Sequence, residues 1–221
     1  MCGRYDIHSD IKIIETRFGV RYTDEPLVSH YNAAPSQYLP VIRSDHPAHM
    51  SLAQWGFLPH WKRSDSALRA MINARAETIE HKPFFRAAFK KNRCLVPADA
   101  FYEWKRSGSR KIPYRIGLRT DEPFAFAGIW DVYTDALGIA TPTFAILTTA
   151  SNALLETIHH RMPVMLRQED EHIWLNPCLS LAEAKQMLIP YAPEKMQAYE
   201  VSTRINAPTY NLPSVIEPIK Y

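Results

Sequence analysis

Cysteine is scarce in this chain. There are three, at positions 2, 94 and 178, and no two are close. An odd, scattered set cannot form a disulfide framework and points to a reducing compartment. No pair of Cys or His residues has the spacing of a structural zinc site, so neither a metal nor another cofactor is expected. Glycine is rare too, with seven residues against seventeen prolines. That balance argues for many short elements joined by stiff connections. Repeats and low-complexity segments are missing. So are long apolar runs, since nothing approaches the ~20 residues of a membrane span. Met1 to Asp10 carries charge and no apolar run, so no signal peptide is expected. The expectation is a cytoplasmic protein with no membrane partner. A strong excess of one charge is also lacking: the net charge is +3 and the pI is near 8.7. This is too mild to demand a nucleic acid, so any DNA binding must come from locally concentrated positive charge.

What remains is an ordinary globular composition, 46% hydrophobic and 22% charged. A chain of this size buries about 70% of its unfolded surface, enough for one domain over 1–221 without staples. Cys94 and Cys178 sit among apolar neighbours and read as packing residues. Strands are expected at Gly3–Ile7, Leu39–Ile42 and Met50–Trp55. More follow at Cys94–Val96, Tyr102–Lys105, Tyr114–Ile116, Phe124–Ile129 and Phe144–Leu147, then at Val164–Leu166 and Ala198–Val201. Helices are expected from a Ser9 or Asp10 cap to Phe18, over Lys82–Phe89 with Pro83 in the first turn, and over Asn152–Ile158. Ser180–Leu188 opens with Ser180-Leu181-Ala182-Glu183, a capping box. Strands and helices do not alternate, which excludes a doubly wound sheet. The fold class is α+β, one domain on a strongly curved, barrel-like mixed sheet with a few flanking helices.

Five segments are dense in reactive or aromatic residues. They are Cys2-Gly3-Arg4-Tyr5, Trp55-Gly56-Phe57-Leu58-Pro59-His60-Trp61, Asn73-Ala74-Arg75-Ala76-Glu77-Thr78, Phe101-Tyr102-Glu103-Trp104 and Ile158-His159-His160-Arg161-Met162-Pro163. Singly, each has an ordinary explanation. Tryptophans 55 and 61 are more often core than base-stacking platforms. Asn73 could cap a helix, and Arg75 with Glu77 could form a plain ion pair. Strand alternation turns Glu103 away from Tyr102 and Trp104, so it faces either solvent or a deliberately buried site. His159 and His160 could be surface residues after a helix.

Cys2 has a chemistry of its own. With Met1 removed, it offers a primary amine and a thiol on adjacent carbons. The amine attacks an aldehyde to give an imine, and the thiol closes onto the same carbon as a thiazolidine. An α-amine titrates near ~7.7–8.0 against ~10.4 for lysine, so much of it is neutral at cellular pH. The small second residue favours removal of Met1.

Together, the five ordered segments resemble the SOS-response-associated peptidase family, the abasic-site-processing proteins, nearly end to end. The resemblance implies a mixed α+β domain that senses and shields abasic sites in single-stranded DNA. It further implies a thiazolidine crosslink from Cys2 to the opened sugar, with Schiff-base lyase and crosslink-reversal chemistry. By the same resemblance, Asn73 holds the N-terminal cysteine or the sugar, Glu103 moves protons, and His159 protonates the ring oxygen. Position 160 is not fixed by the family. Arg4, Arg75 and Arg161 match basic positions near the DNA, and Trp55, Phe57, Pro59 and Trp61 would supply a wedge or stacking surface. A monomer suits a task performed at one lesion. The competing reading is an N-terminal-nucleophile cysteine amidohydrolase or peptidase, self-removal of Met1 included.

Overall fold

The computed structural model describes residues 2–23, 27–62 and 69–219. Its centre is a closed barrel. Five strands form it: β4 (Tyr38–Arg43), β5 (His49–Trp55), β7 (Arg93–Ala98), β10 (Phe124–Thr134) and β11 (Ala140–Ala150). Antiparallel pairs run β5–β4–β7–β10–β11, and a short parallel pairing of β11 with β5 completes the ring, with Thr143 opposite Gln54 and Phe144 opposite Trp55. Short strands extend the wall: β2 (Arg21–Tyr22) on β5, and both β6 (Asn73–Arg75) and β12 (Arg161–Pro163) on β11.

A second, five-stranded sheet has the order β13 (Met196–Glu200), β9 (Arg110–Leu118), β8 (Ala100–Ser107), β1 (Tyr5–Ile7), β3 (His30–Ala33). The chain passes from β7 of the barrel into β8 of this sheet through Asp99 alone. That corner is fastened by charge. The Asp99 carboxylate accepts from the backbone N–H of His8 at 2.6 Å and of Ser9 at 2.9 Å. Asp6, 0% exposed, takes the Arg115 guanidinium at 2.9 and 3.0 Å and the His8 ring at 3.0 Å.

Aromatic rings fill the space between the sheets. Tyr5, Trp55, Phe101, Phe126 and Phe144 are all fully buried. Tyr5 meets Trp55 and Phe126 edge-on at 5.2 and 5.8 Å, the geometry favoured by ring quadrupoles. Gly128 fits because a Cβ there would lie 2.7 Å from the Cys94 sulfur. Outside, α1 (Ile11–Phe18) starts at Asp10, whose side chain accepts from Lys12 N, and stops at Gly19 in the left-handed region at φ 63°. Arg17 of α1 forks onto Glu171 of α3 (Gln168–Leu175) at 2.9 Å. No helix of the described residues is long and apolar enough to cross a membrane.

The barrel, the Asp10 cap, the helix α2 (Pro83–Lys91) and the capping box of α4 (Leu181–Gln186) agree with expectation. Several details do not. Asn152–Ile158 forms successive turns rather than a helix, with the Asn152 side chain accepting from Leu155 N and donating to the Tyr191 carbonyl. The strand expected at Val164–Leu166 lies slightly earlier, at Arg161–Pro163. Helix α3 and the strands β2, β3 and β6 were not legible. Cys94 is buried, but Cys178 is exposed.

One prediction concerns the corner. Burial pulls the His8 imidazole down, but hydrogen bonds and charge from Asp6 and Asp99 outweigh it and raise the ring from 6.5 to about 9. A raised pKa means a proton held more tightly in the folded state. Its stabilisation is complete below about pH 6.5 and disappears as pH rises through about 9. Thermal melts should show Tm falling across that window, and His8→Asn should remove the fall. An unchanged pH profile in the variant would place the dependence elsewhere.

Candidate active site

The reactive residues meet where the two sheets join. Cys2 precedes β1 and is 0% exposed. Asn73 begins β6, which lies parallel to β11 with Asn73 opposite Ile146. From there its Nδ2 donates to the Cys2 carbonyl at 2.8 Å. The Asn73 Oδ1 is buried and has no hydrogen-bond partner. Asn73 therefore sits in a strand and caps no helix.

Glu103 is 3% exposed, so of the two open readings the buried one holds. Alternation explains how. Tyr102 turns to the other face, packs on Val201, Ile205 and Val215, and gives its hydroxyl proton to the Tyr31 carbonyl at 2.8 Å. Backbone pairing of β8 with the N-terminal strand ends at the Tyr102 N–H, which donates to the Arg4 carbonyl at 3.0 Å. Beyond that point Glu103 and Trp104 both border the cleft.

His159 follows the turns after Asn152. Its Nδ1 lies 3.9 Å from Glu103 Oε1 and 3.0 Å from both the N–H and the carbonyl of Arg161. A neutral ring accepts from that N–H. A charged ring donates to that carbonyl, with Glu103 as its counter-charge. His160 is exposed and stacks on His159 with ring centroids 4.5 Å apart. The charge of His159 is the first cause that pushes the His160 imidazole below its ordinary value.

The Cys2 thiol is held well above the usual thiol range, first by burial and then by the Glu103 carboxylate. It is a protonated thiol, whose Sγ faces the Arg4 carbonyl at 3.7 Å. A cleft of about 470 Å³ opens beside it, lined by Arg4, Glu103, Trp104, Arg106, Lys111, His159 and Asn206. Arg4 is half-buried, burial lowers its pKa, and its Nε has no hydrogen-bond partner.

Other residues expected at the site stand differently. Arg75 is exposed. Arg161 has its guanidinium engaged. It forks onto Glu77 at 2.5 and 3.0 Å and donates to the Thr148 carbonyl at 2.7 Å. It pins β12 against β11 and has no free fork for phosphate. Glu77 therefore pairs with Arg161 and not with Arg75. Trp55, Phe57 and Pro59, expected along DNA, are buried. The Trp55 ring donates to the Ile72 carbonyl at 3.0 Å, and Phe57 packs on Phe84 and Phe85 at 5.7 Å. Both belong to the aromatic core. Of the four expected residues Trp61 alone is exposed, at 47%, and it meets Phe84 edge-on. Arg106, Lys111 and Asn206 were missed. The basic run Lys105 to Lys111 was the available signal for the first two; nothing in the sequence marks Asn206.

These features define a barrel domain that holds a buried thiol, a carboxylate and an imidazole at the head of a basic cleft. The chain belongs to the SOS response associated peptidase (SRAP) family, whose family model matches residues 1–208. It is 40% identical over 222 residues to the abasic site processing protein YoqW of Bacillus subtilis, covering 98% of this chain and 99% of that one. It is 28% identical to the abasic site processing protein YedK of Escherichia coli, covering 85% of each chain. A crystal structure of a protein from Bacteroides thetaiotaomicron is similar with a TM-score of 0.91 and 34% identity, over 99% of this chain and all of that one.

Asn73→Ala should leave the Cys2 carbonyl buried and unpaired. The expected cost is about 1–3 kcal/mol, read from the urea midpoint. An unchanged midpoint would mean that another donor replaces the amide.

Proposed function

We propose that this chain captures abasic sites in single-stranded DNA by covalent attachment of the opened sugar to Cys2. The supporting observation is the placement of Cys2: Asn73 holds its carbonyl while Glu103 and His159 border the cleft beside it. The names of the relatives, abasic site processing proteins, point the same way.

The reaction requires removal of Met1, which lies outside the described residues. The sugar of an abasic site opens to an aldehyde, and His159 in its charged form gives the ring oxygen its proton. The neutral α-amine then attacks the aldehyde carbon. Loss of one water leaves an imine. The Cys2 sulfur adds to the imine carbon and its proton passes to the nitrogen, so the thiazolidine forms with one water released overall. Burial of the thiol supports this order of events. A thiol kept protonated is a poor first nucleophile, so the amine leads. In this reading Glu103 relays the thiol proton to the nitrogen as the ring closes and returns it on reversal. The Asn73 Oδ1 is an acceptor for a sugar hydroxyl.

The amidohydrolase reading asks the same sulfur to attack an amide first. Burial beside a carboxylate opposes the thiolate that step needs. Capture of an aldehyde by the amine does not require it, so the crosslink reading is preferred. In this proposal the protein acts as a monomer on unpaired strands, and lyase chemistry is a side path of the imine.

Two outcomes are expected. Cys2→Ala should bind an abasic oligonucleotide but give no heat-stable conjugate on a denaturing gel. Cys2→Ser keeps the amine, so borohydride should trap an imine and strand cleavage should appear. A heat-stable conjugate from Cys2→Ala would end the proposal. Separately, Glu103→Gln should slow crosslink release by about 10²–10⁴ with DNA affinity unchanged. Equal effects on release and affinity would remove its assigned role.

A further inference from the structure

The cleft has a basic wall that the chemistry above does not use. Strands β8 and β9 continue past the site as a two-stranded ribbon, paired Trp104–Pro113, Lys105–Ile112, Arg106–Lys111 and Ser107–Arg110. A two-residue turn, Gly108-Ser109, joins them, with Gly108 at φ 60°. That is the primed geometry that matches strand twist. Between Lys105 and Lys111 four of seven residues are basic and none is acidic. Arg106, Arg110 and Lys111 are exposed, and Lys105 is partly so. Among the described residues, no ion pair or side-chain hydrogen bond engages any of the four. In a chain of net charge +3 this is a concentrated cationic patch with no internal counter-charge.

The ribbon sorts these charges by face. Directly opposed residues in an antiparallel pair share a side, and the side alternates along each strand. Arg106 and Lys111 therefore stand together with Trp104, and all three line the cleft. Lys105 and Arg110 stand on the side that Glu103 takes at the base of the ribbon, and at the tip of the ribbon neither lines the cleft.

We infer that the β8–β9 ribbon is an electrostatic rail for the DNA flanking the lesion, with Arg106 and Lys111 each taking one phosphate. This rests on the proposed function for the identity of the strand. A phosphodiester is the fitting ligand: the row is purely cationic, open, and continuous with the reacting end of the cleft. The face opposite supplies an internal control of equal charge.

The test uses an intact single-stranded oligonucleotide without an abasic site, so no covalent step contributes. Binding is measured by fluorescence anisotropy across a salt series. Each phosphate contact on a single strand contributes about 0.7 to the slope of log K against log salt. The double variant Arg106→Ala/Lys111→Ala should lose about 1.4 from that slope. Lys105→Ala/Arg110→Ala removes the same charge and should lose less than about half of one contact. Melting temperatures near wild type for both variants would show that exposed substitutions leave the fold intact. Equal losses from the two faces, or no loss from the first, would overturn the inference. If the slopes behave as expected but wild-type protein forms no conjugate with an abasic oligonucleotide, the rail stands and the crosslink proposal falls.

Discussion

A hydrogen bond from Asn73 to Cys2 joins the two halves of this molecule at the point where chemistry is possible. The Asn73 amide belongs to a strand hung on β11 of the barrel. The Cys2 carbonyl belongs to the lead-in of β1, in the other sheet. Neither sheet alone contains a site. The barrel contributes Asn73 and the segment of His159 and Arg161; the five-stranded sheet contributes Cys2, Arg4 and Glu103. The one-residue corner at Asp99 and the aromatic packing around Tyr5 fix the distance between them. The bond is short because those larger features hold its partners in register, and a net hydrogen bond of about 1 kcal/mol could not assemble the site unaided.

The same geometry separates two uses of charge. Arg161 and Arg115 are spent inside the protein, the first on Glu77 and the second on Asp6. They hold strands in place. Arg4, Arg106 and Lys111 border the open cleft. Arginines that look alike in a sequence thus fall into structural and available sets, and the division follows from which carboxylate lies within reach. Glu103 is buried where a carboxylate would be costly without a role for it. Burial first, and then this carboxylate, keeps the neighbouring thiol protonated, and Glu103 Oε1 lies 3.9 Å from the His159 ring.

Much of this was legible beforehand because the motifs carry side-chain chemistry at fixed local spacing. Strand periodicity located β4, β5, β7 and β8, and the alternation at Glu103 reduced its environment to two choices. The unusual second residue pointed to Cys2 without any structure. What failed was whatever depends on non-local partners. Trp55 and Phe57 read equally well as stacking platforms or core, and only barrel closure puts them inside. Arg161 read as a phosphate ligand because Glu77 is 84 residues away in sequence. Asn206 reaches the cleft because the C-terminal segment folds back, held by three carbonyls accepting from the Asn32 amide. Short strands such as β6 have no periodicity long enough to read.

The ring of strands is completed by only two residue pairs, Thr143–Gln54 and Phe144–Trp55. Immediately beyond this seam Gly56, at φ 147°, donates to the Phe144 carbonyl and starts the excursion that ends at Asn73. A side chain at position 56 would be strained and would press on Ala70 at 3.2 Å. This two-pair stitch in the wall and the tether of Cys2 therefore share one stretch of backbone. On the proposed function, loosening there would reach Cys2 through Asn73, so capture should be more fragile than the fold that supports it.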